Sequence, residues 1–138
     1  MTMYRLPKST LKEFEPYTLS VSSTDRKVTA RQLKVNPGDL EEFQSASMSL
    51  NKLIEKHSFD NLDLLQIDTE GYDWEVLKSI DLLLYSPKII QIEHGHLSPK
   101  QCNSVANYLT ENNYIIYWGG HQGDTVAIKK EALQEMLM

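Results

Sequence analysis

Asp68, Glu70, Glu93, His94 and His96 are the residues whose types and spacing suit chemistry at one site. Asp68 and Glu70 close the run Leu62-Asp63-Leu64-Leu65-Gln66-Ile67-Asp68-Thr69-Glu70-Gly71. Glu93, His94 and His96 close Lys88-Ile89-Ile90-Gln91-Ile92-Glu93-His94-Gly95-His96. In the first, a short apolar run gives way to two acids flanking a threonine and then a glycine; in the second, to one acid and then two histidines around a glycine. A carboxylate placed against a hydroxyl or amine can take its proton, so Asp68 and Glu93 are candidate general bases. Glu93, His94 and His96 also offer donors that suit several divalent ions. Catalytic metals usually need three protein ligands, and spacing fixes no further one here, so a polar strand end is the plainer account and no metal is expected. For Asp68, Thr69 and Gly71 the plain alternative is capping and turning: Asp and Thr are ordinary helix caps, and glycine lets a turn form.

The elements that must position these residues can be read from periodicity. Both runs fit strands buried on two faces. Between them, Val76, Leu77, Ile80 and Leu84 recur at helical spacing over residues 72–84, and Ser86-Pro87 stops the helix. A right-handed strand–helix–strand unit places two such strand ends side by side. In open α/β sheets, ligands sit outside those carboxyl ends.

The remaining segments complete the sheet. Residues 1–16 show little periodicity and are expected to be irregular. Residues 17–21 and 27–35 alternate, which suggests a hairpin turned at residues 22–26. Asn36-Pro37-Gly38-Asp39 reads as a turn, with a helical turn expected over residues 39–43. Ser49 can cap a helix reaching His57. Ser98-Pro99-Lys100-Gln101 combines an N-cap, a proline at the first helical position and a capping-box partner. Cys102, Val105, Ala106 and Leu109 then form one apolar stripe, with Cys102 expected in the core. Tyr114-Ile115-Ile116-Tyr117-Trp118 and Thr125-Val126-Ala127-Ile128 read as strands. Their connection is too short for a crossover helix, so they should run antiparallel. Leu133, Met136 and Leu137 suggest a last short helix. The fold class expected is α/β, with a mixed parallel/antiparallel sheet that ends in an antiparallel hairpin, in one domain spanning residues 1–138.

Composition narrows the function classes. The 138 residues are 41% hydrophobic and 24% charged, ordinary values for a soluble domain. The net charge of −5 disfavours sequence-blind nucleic-acid binding, which needs a basic face. No apolar stretch approaches the roughly 20 residues of a spanning helix. The polar N-terminal residues do not read as a secretory signal, and the single cysteine rules out an internal disulfide. A cytoplasmic location with no membrane partner is therefore expected. Gly119-Gly120-His121-Gln122-Gly123 leads into a strand, whereas a phosphate loop must open a helix. No Gly-x-Ser-x-Gly elbow supports acyl transfer.

The run Leu64-Leu65-Gln66-Ile67-Asp68-Thr69-Glu70-Gly71-Tyr72-Asp73-Trp74-Glu75-Val76-Leu77-Lys78 resembles the signature of FkbM-type S-adenosylmethionine-dependent methyltransferases. Ser49-Leu50-Asn51-Lys52-Leu53-Ile54 is similar to the family's Ser-Leu-Asp-x-Leu-Ile segment, with Asn51 where Asp is usual. Pro87-Lys88-Ile89-Ile90-Gln91-Ile92-Glu93 is similar to its next strand. The resemblance runs from about Tyr17 to Ile128. It implies a Rossmann-like methyltransferase sheet, S-adenosylmethionine as cofactor, and methyl transfer to an oxygen of a sugar or small metabolite. It places Asp68 near the methyl group and the acceptor. The family's glycine-rich cofactor loop and second-strand acid have no counterpart here, so the chain reads as the C-terminal part of the domain. An inactive fragment and a non-catalytic binding module are the alternatives, together with a metal-dependent enzyme using His94 and His96. In the complete fold another strand would lie beside residues 62–67. A bare apolar edge recruits another chain, so either a homodimer or the 17–35 hairpin is expected to cover it.

Overall fold

The computed structural model describes residues 1–10, 21–59, 61–119 and 123–138. The chain forms two compact units, residues 1–47 with 69–72, and residues 48–68 with 73–138.

In the first unit, β1 (Thr2–Arg5) pairs antiparallel with β2 (Glu41–Gln44), Met3 opposite Phe43. Both were unforeseen, since residues 1–16 were expected to be irregular and 39–43 helical. The helical turn exists but lies earlier, at Pro37–Asp39. Between the strands runs the helix α1 (Arg26–Leu33), where a strand of a hairpin was expected. Residues 17–20 of that hairpin lie outside the described residues. The alternation breaks at Gln32-Leu33: Val28 and Ala30 fall on even positions, Leu33 and Val35 on odd ones. Asp25 then decides the matter. Its carboxylate accepts from the backbone N–H groups of Lys27 (2.7 Å) and Val28 (3.4 Å), which satisfies donors a helix start leaves open. Leu6, Val21, Ala30, Leu33 and Leu40 form this unit's core.

In the second unit, four strands order as β3–β4–β6–β5: β3 (Leu64–Ile67), β4 (Ile89–Glu93), β6 (Asp124–Lys129) and β5 (Tyr114–Trp118). β3 and β4 run parallel, with Leu64 opposite Ile89 and Ile67 opposite Ile92. β6 inserts antiparallel between β4 and β5. The mixed sheet and its antiparallel C-terminal hairpin are therefore as the sequence suggested. So are α2 (Leu50–His57), capped by Ser49, and α4 (Pro99–Glu111), which opens with the Ser98–Gln101 capping box. α5 (Lys130–Leu137) closes the chain.

Register assigns the faces. Ile67, Ile90, Ile92, Ala127, Ile116 and Tyr114 point to one side, where Leu77, Val105 and Leu109 complete a core. The other face is less covered. Leu64 is 53% exposed and Gln66 is exposed, so β3 is buried on one face and not on two. Strand β3 is also the sheet edge, pairing only with β4 among the described residues. The hairpin expected over residues 17–35 does not form, because residues 26–33 are helical. Cys102 is half-buried rather than in the core.

The helix expected over 72–84 stops early, as α3 (Asp73–Leu77). The Asp81 carboxylate accepts from the N–H groups of Leu83 (3.0 Å) and Leu84 (3.2 Å), a local turn that competes with helix continuation. Ile80 and Leu82 still reach the interior, while Leu83 is 85% exposed. Among the described residues no helix is long and apolar enough to cross a membrane.

Tyr114 ties the sheet's far end together. Its hydroxyl donates to the Pro87 carbonyl at 2.6 Å, and burial pushes its pKa up to about 12 from the usual 10.0. A raised folded-state value means the contribution is complete below about pH 10 and is lost as the pH climbs to about 12. Two units correspond to roughly 3 kcal/mol at most. Urea midpoints measured from about pH 9 to about pH 12 should fall, and Tyr114→Phe should flatten that fall. An identical alkaline slope in both proteins would contradict it.

Candidate active site

The carboxyl ends of β3 and β4 form the rim on which the site is built. Ile67 lies opposite Ile92 in a parallel pair, so Asp68, just past β3, and Glu93, the last residue of β4, sit at adjacent strand ends. Asp68 is exposed and Glu93 is half-buried. A strand can deliver an acid here because its apolar residues anchor it. Ile67 is 3% exposed, and Ile90 and Ile92 are fully buried. Behind the rim, α3 begins with Asp73, an acid with no exposed surface. Acids are favoured in the first turn of a helix, where the N–H groups point outward.

Past Glu93 the chain bends. His94 N–H donates to the Gly123 carbonyl at 2.5 Å, and Leu97 N–H donates to the His94 carbonyl at 3.0 Å. Gly123 adopts φ +81°, a conformation that favours glycine. The strand has ended by His94, so no strand alternation sets where the two imidazoles point. His94 turns to the covered face. It is 9% exposed, its Nδ1 lies 2.9 Å from the Thr125 hydroxyl, and its ring centroid lies 4.2 Å from that of Trp118. His96 instead pairs with Glu93, Nε2 to Oε1 at 3.5 Å, with both side chains about one-fifth exposed. The two histidines thus have different partners. Among the described residues His94 joins no group of three possible metal ligands.

Glu70 belongs to the first unit. It has a left-handed backbone, φ +56°. Its carbonyl accepts from the Ser23 hydroxyl at 2.6 Å, and its carboxylate accepts from the Gln32 amide. The second unit therefore brings together Asp68, Glu93, His94 and His96 around one sheet end. Sequence reasoning missed Asp73, Thr125 and Trp118. Asp73 was visible as the acid two places after Gly71. Thr125 and Trp118 carry no local signal, since they meet His94 only through the strand order.

An open cleft lined by Leu62, Asp63, Tyr85 and Lys88 lies at the amino ends of β3 and β4, away from these acids. The Lys88 ammonium and Asp63 carboxylate there pair at 2.8 Å, both well exposed. An exposed pair of that kind contributes little, about 0–1 kcal/mol.

Residues 4–116 match the family model of the methyltransferase FkbM domain. No curated protein and no solved structure matched the chain. The match begins in β1, ends within β5, and contains Asp68, Glu70, Glu93, His94 and His96. The chain belongs to the FkbM methyltransferase family.

Proposed function

We propose that the protein is an S-adenosylmethionine-dependent methyltransferase with a Rossmann-like sheet, acting on a hydroxyl of a sugar or other small metabolite. The observation that carries this is the parallel register of β3 and β4, which puts Asp68 and Glu93 on one rim in a chain of this family. When bound, S-adenosylmethionine supplies an electrophilic methyl group on a sulfonium. Two neighbouring carboxylates complement that positive charge and the ammonium of the methionyl part. The fit extends to the cationic end alone. Among the described residues no glycine-rich turn opens a helix, and Gly123 leads into β6.

The chain's own residues then divide the work. Half-buried Glu93, held by His96, accepts the proton of the acceptor hydroxyl. Exposed Asp68 helps hold the cation. Ile90 and Ile92 fix the strand that carries Glu93. The partner proposed for the open side of β3 is a second copy of the chain, and sedimentation reads it directly. A dimer mass supports this, and a monomer mass overturns it.

Isothermal calorimetry with S-adenosylmethionine tests the reading. The expected result is binding in the micromolar range, about −8 kcal/mol. Absence of heat at saturating cofactor would favour a binding module that keeps the sheet without the chemistry.

A further inference from the structure

His94 holds an unusual position for a residue with two polar ring atoms. It is about nine-tenths buried, yet only one of those atoms is engaged. Nδ1 meets the Thr125 hydroxyl at 2.9 Å, and among the described residues Nε2 has no hydrogen-bond partner. The ring cannot swivel freely, because the Trp118 indole lies against it at 31°. Thr125 is fully buried on β6, opposite Ile92 of β4.

The proton between Nδ1 and Thr125 can sit on either partner, and burial decides which. The hydroxyl of Thr125 has one donor hydrogen and no exposed surface. Among the described residues His94 is its only partner. Were Nδ1 protonated, the hydroxyl would accept from it, and the threonine's own hydrogen would be buried without an acceptor. Leaving a buried donor unmade is costly enough to favour one arrangement by roughly fivefold to a hundredfold. The threonine therefore donates, Nδ1 accepts, and the neutral ring carries its proton on Nε2.

We propose that Thr125 is a positioning residue that locks His94 as the Nε2–H tautomer, so that the ring offers a ligand a proton donor and not a lone pair. His94 is then neither the general base nor a metal ligand through Nε2. Its chemistry suits an oxygen: the ether, hydroxyl or anionic oxygen of a molecule bound at the sheet end. Calling that molecule the methyl acceptor rests on the function proposed above. The tautomer itself does not.

The test is ¹⁵N–¹H NMR on the full chain labelled at histidine, with no cofactor added. A pH of about 8.5 keeps ordinary imidazoles, with pKa near 6.5, neutral. His94→Gln assigns the resonance among the four histidines. The expected pattern has the proton on Nε2 and a hydrogen-bonded, unprotonated Nδ1. Thr125→Val should move the Nδ1 signal downfield toward that of a free ring nitrogen, and Thr125→Ser should return it. Circular dichroism checks that each variant is folded, and the wild-type pattern decides even if Thr125→Val is not. A proton on Nδ1, or a tautomer mixture, in the wild type overturns the proposal. So does an Nδ1 signal unmoved in folded Thr125→Val. None of these readings depends on methyl transfer, so failure here leaves the function untouched, and loss of cofactor binding leaves this result standing.

Discussion

Glu93→Gln should lower methyl transfer by about 10²–10⁴-fold, the usual worth of a positioned proton acceptor. The substitution keeps the side chain's length and removes only its charge and proton affinity. Glu93 is the better placed of the two rim acids. It is half-buried, it ends a strand whose Ile90 and Ile92 have no exposed surface, and His96 holds it at 3.5 Å. Asp68 is exposed, so Asp68→Asn should act mainly on cofactor affinity and less on the rate. The assay is transfer of labelled methyl from S-adenosylmethionine across a panel of sugars and small hydroxyl compounds. Each variant's urea midpoint confirms that the fold is intact. A Glu93→Gln enzyme within threefold of wild type would remove Glu93 from the chemistry.

Leu77→Ala should destabilise the protein by about 2–5 kcal/mol, a large share of a typical total of 5–15 kcal/mol. Leu77 is the last residue of α3 and has no exposed surface. It packs in the core formed with Ile67, Ile90, Ile92, Val105 and Leu109. Truncation there removes apolar contacts and leaves a cavity that close-packed neighbours cannot fill. The contrast is Leu83→Ala, six residues on. Leu83 is 85% exposed, so its loss should stay within about 0.5 kcal/mol. Equal urea midpoints for the two variants would mean that the core is not where the structure puts it.

What could be read ahead of the structure follows from where the information sits. The helix α4 was legible because Ser98, Pro99 and Gln101 act within one turn of one another. The β3–β4 pair and the β5–β6 hairpin were legible because connection lengths restrict strand direction. The family was legible because its motif lies within the contiguous stretch 64–78. Helix α1 was misread because two apolar pairs, Val28 with Ala30 and Leu33 with Val35, mimic alternation, while the deciding bond is made by Asp25, just outside the pattern. The early end of α3 was missed for a similar reason: apolar spacing continues through Ile80 and Leu84, but Asp81 diverts the backbone.

The site divides along the same line. Asp68 and Glu93 as neighbours needed only the parallel pairing of two successive strands. The different fates of His94 and His96 needed the bend after Glu93. They also needed β6 beside β4, which carries Thr125 to the His94 ring. Residues 31 positions apart leave no local trace in a sequence.

The most direct measurement is a double-mutant cycle on S-adenosylmethionine affinity, with Asp68→Asn, Glu93→Gln and the pair compared by calorimetry. Two carboxylates facing one cation from adjacent strand ends should be coupled, by about 0.5 kcal/mol or more. Losses that simply add, to within about 0.3 kcal/mol, would show that the two acids do not serve one bound molecule.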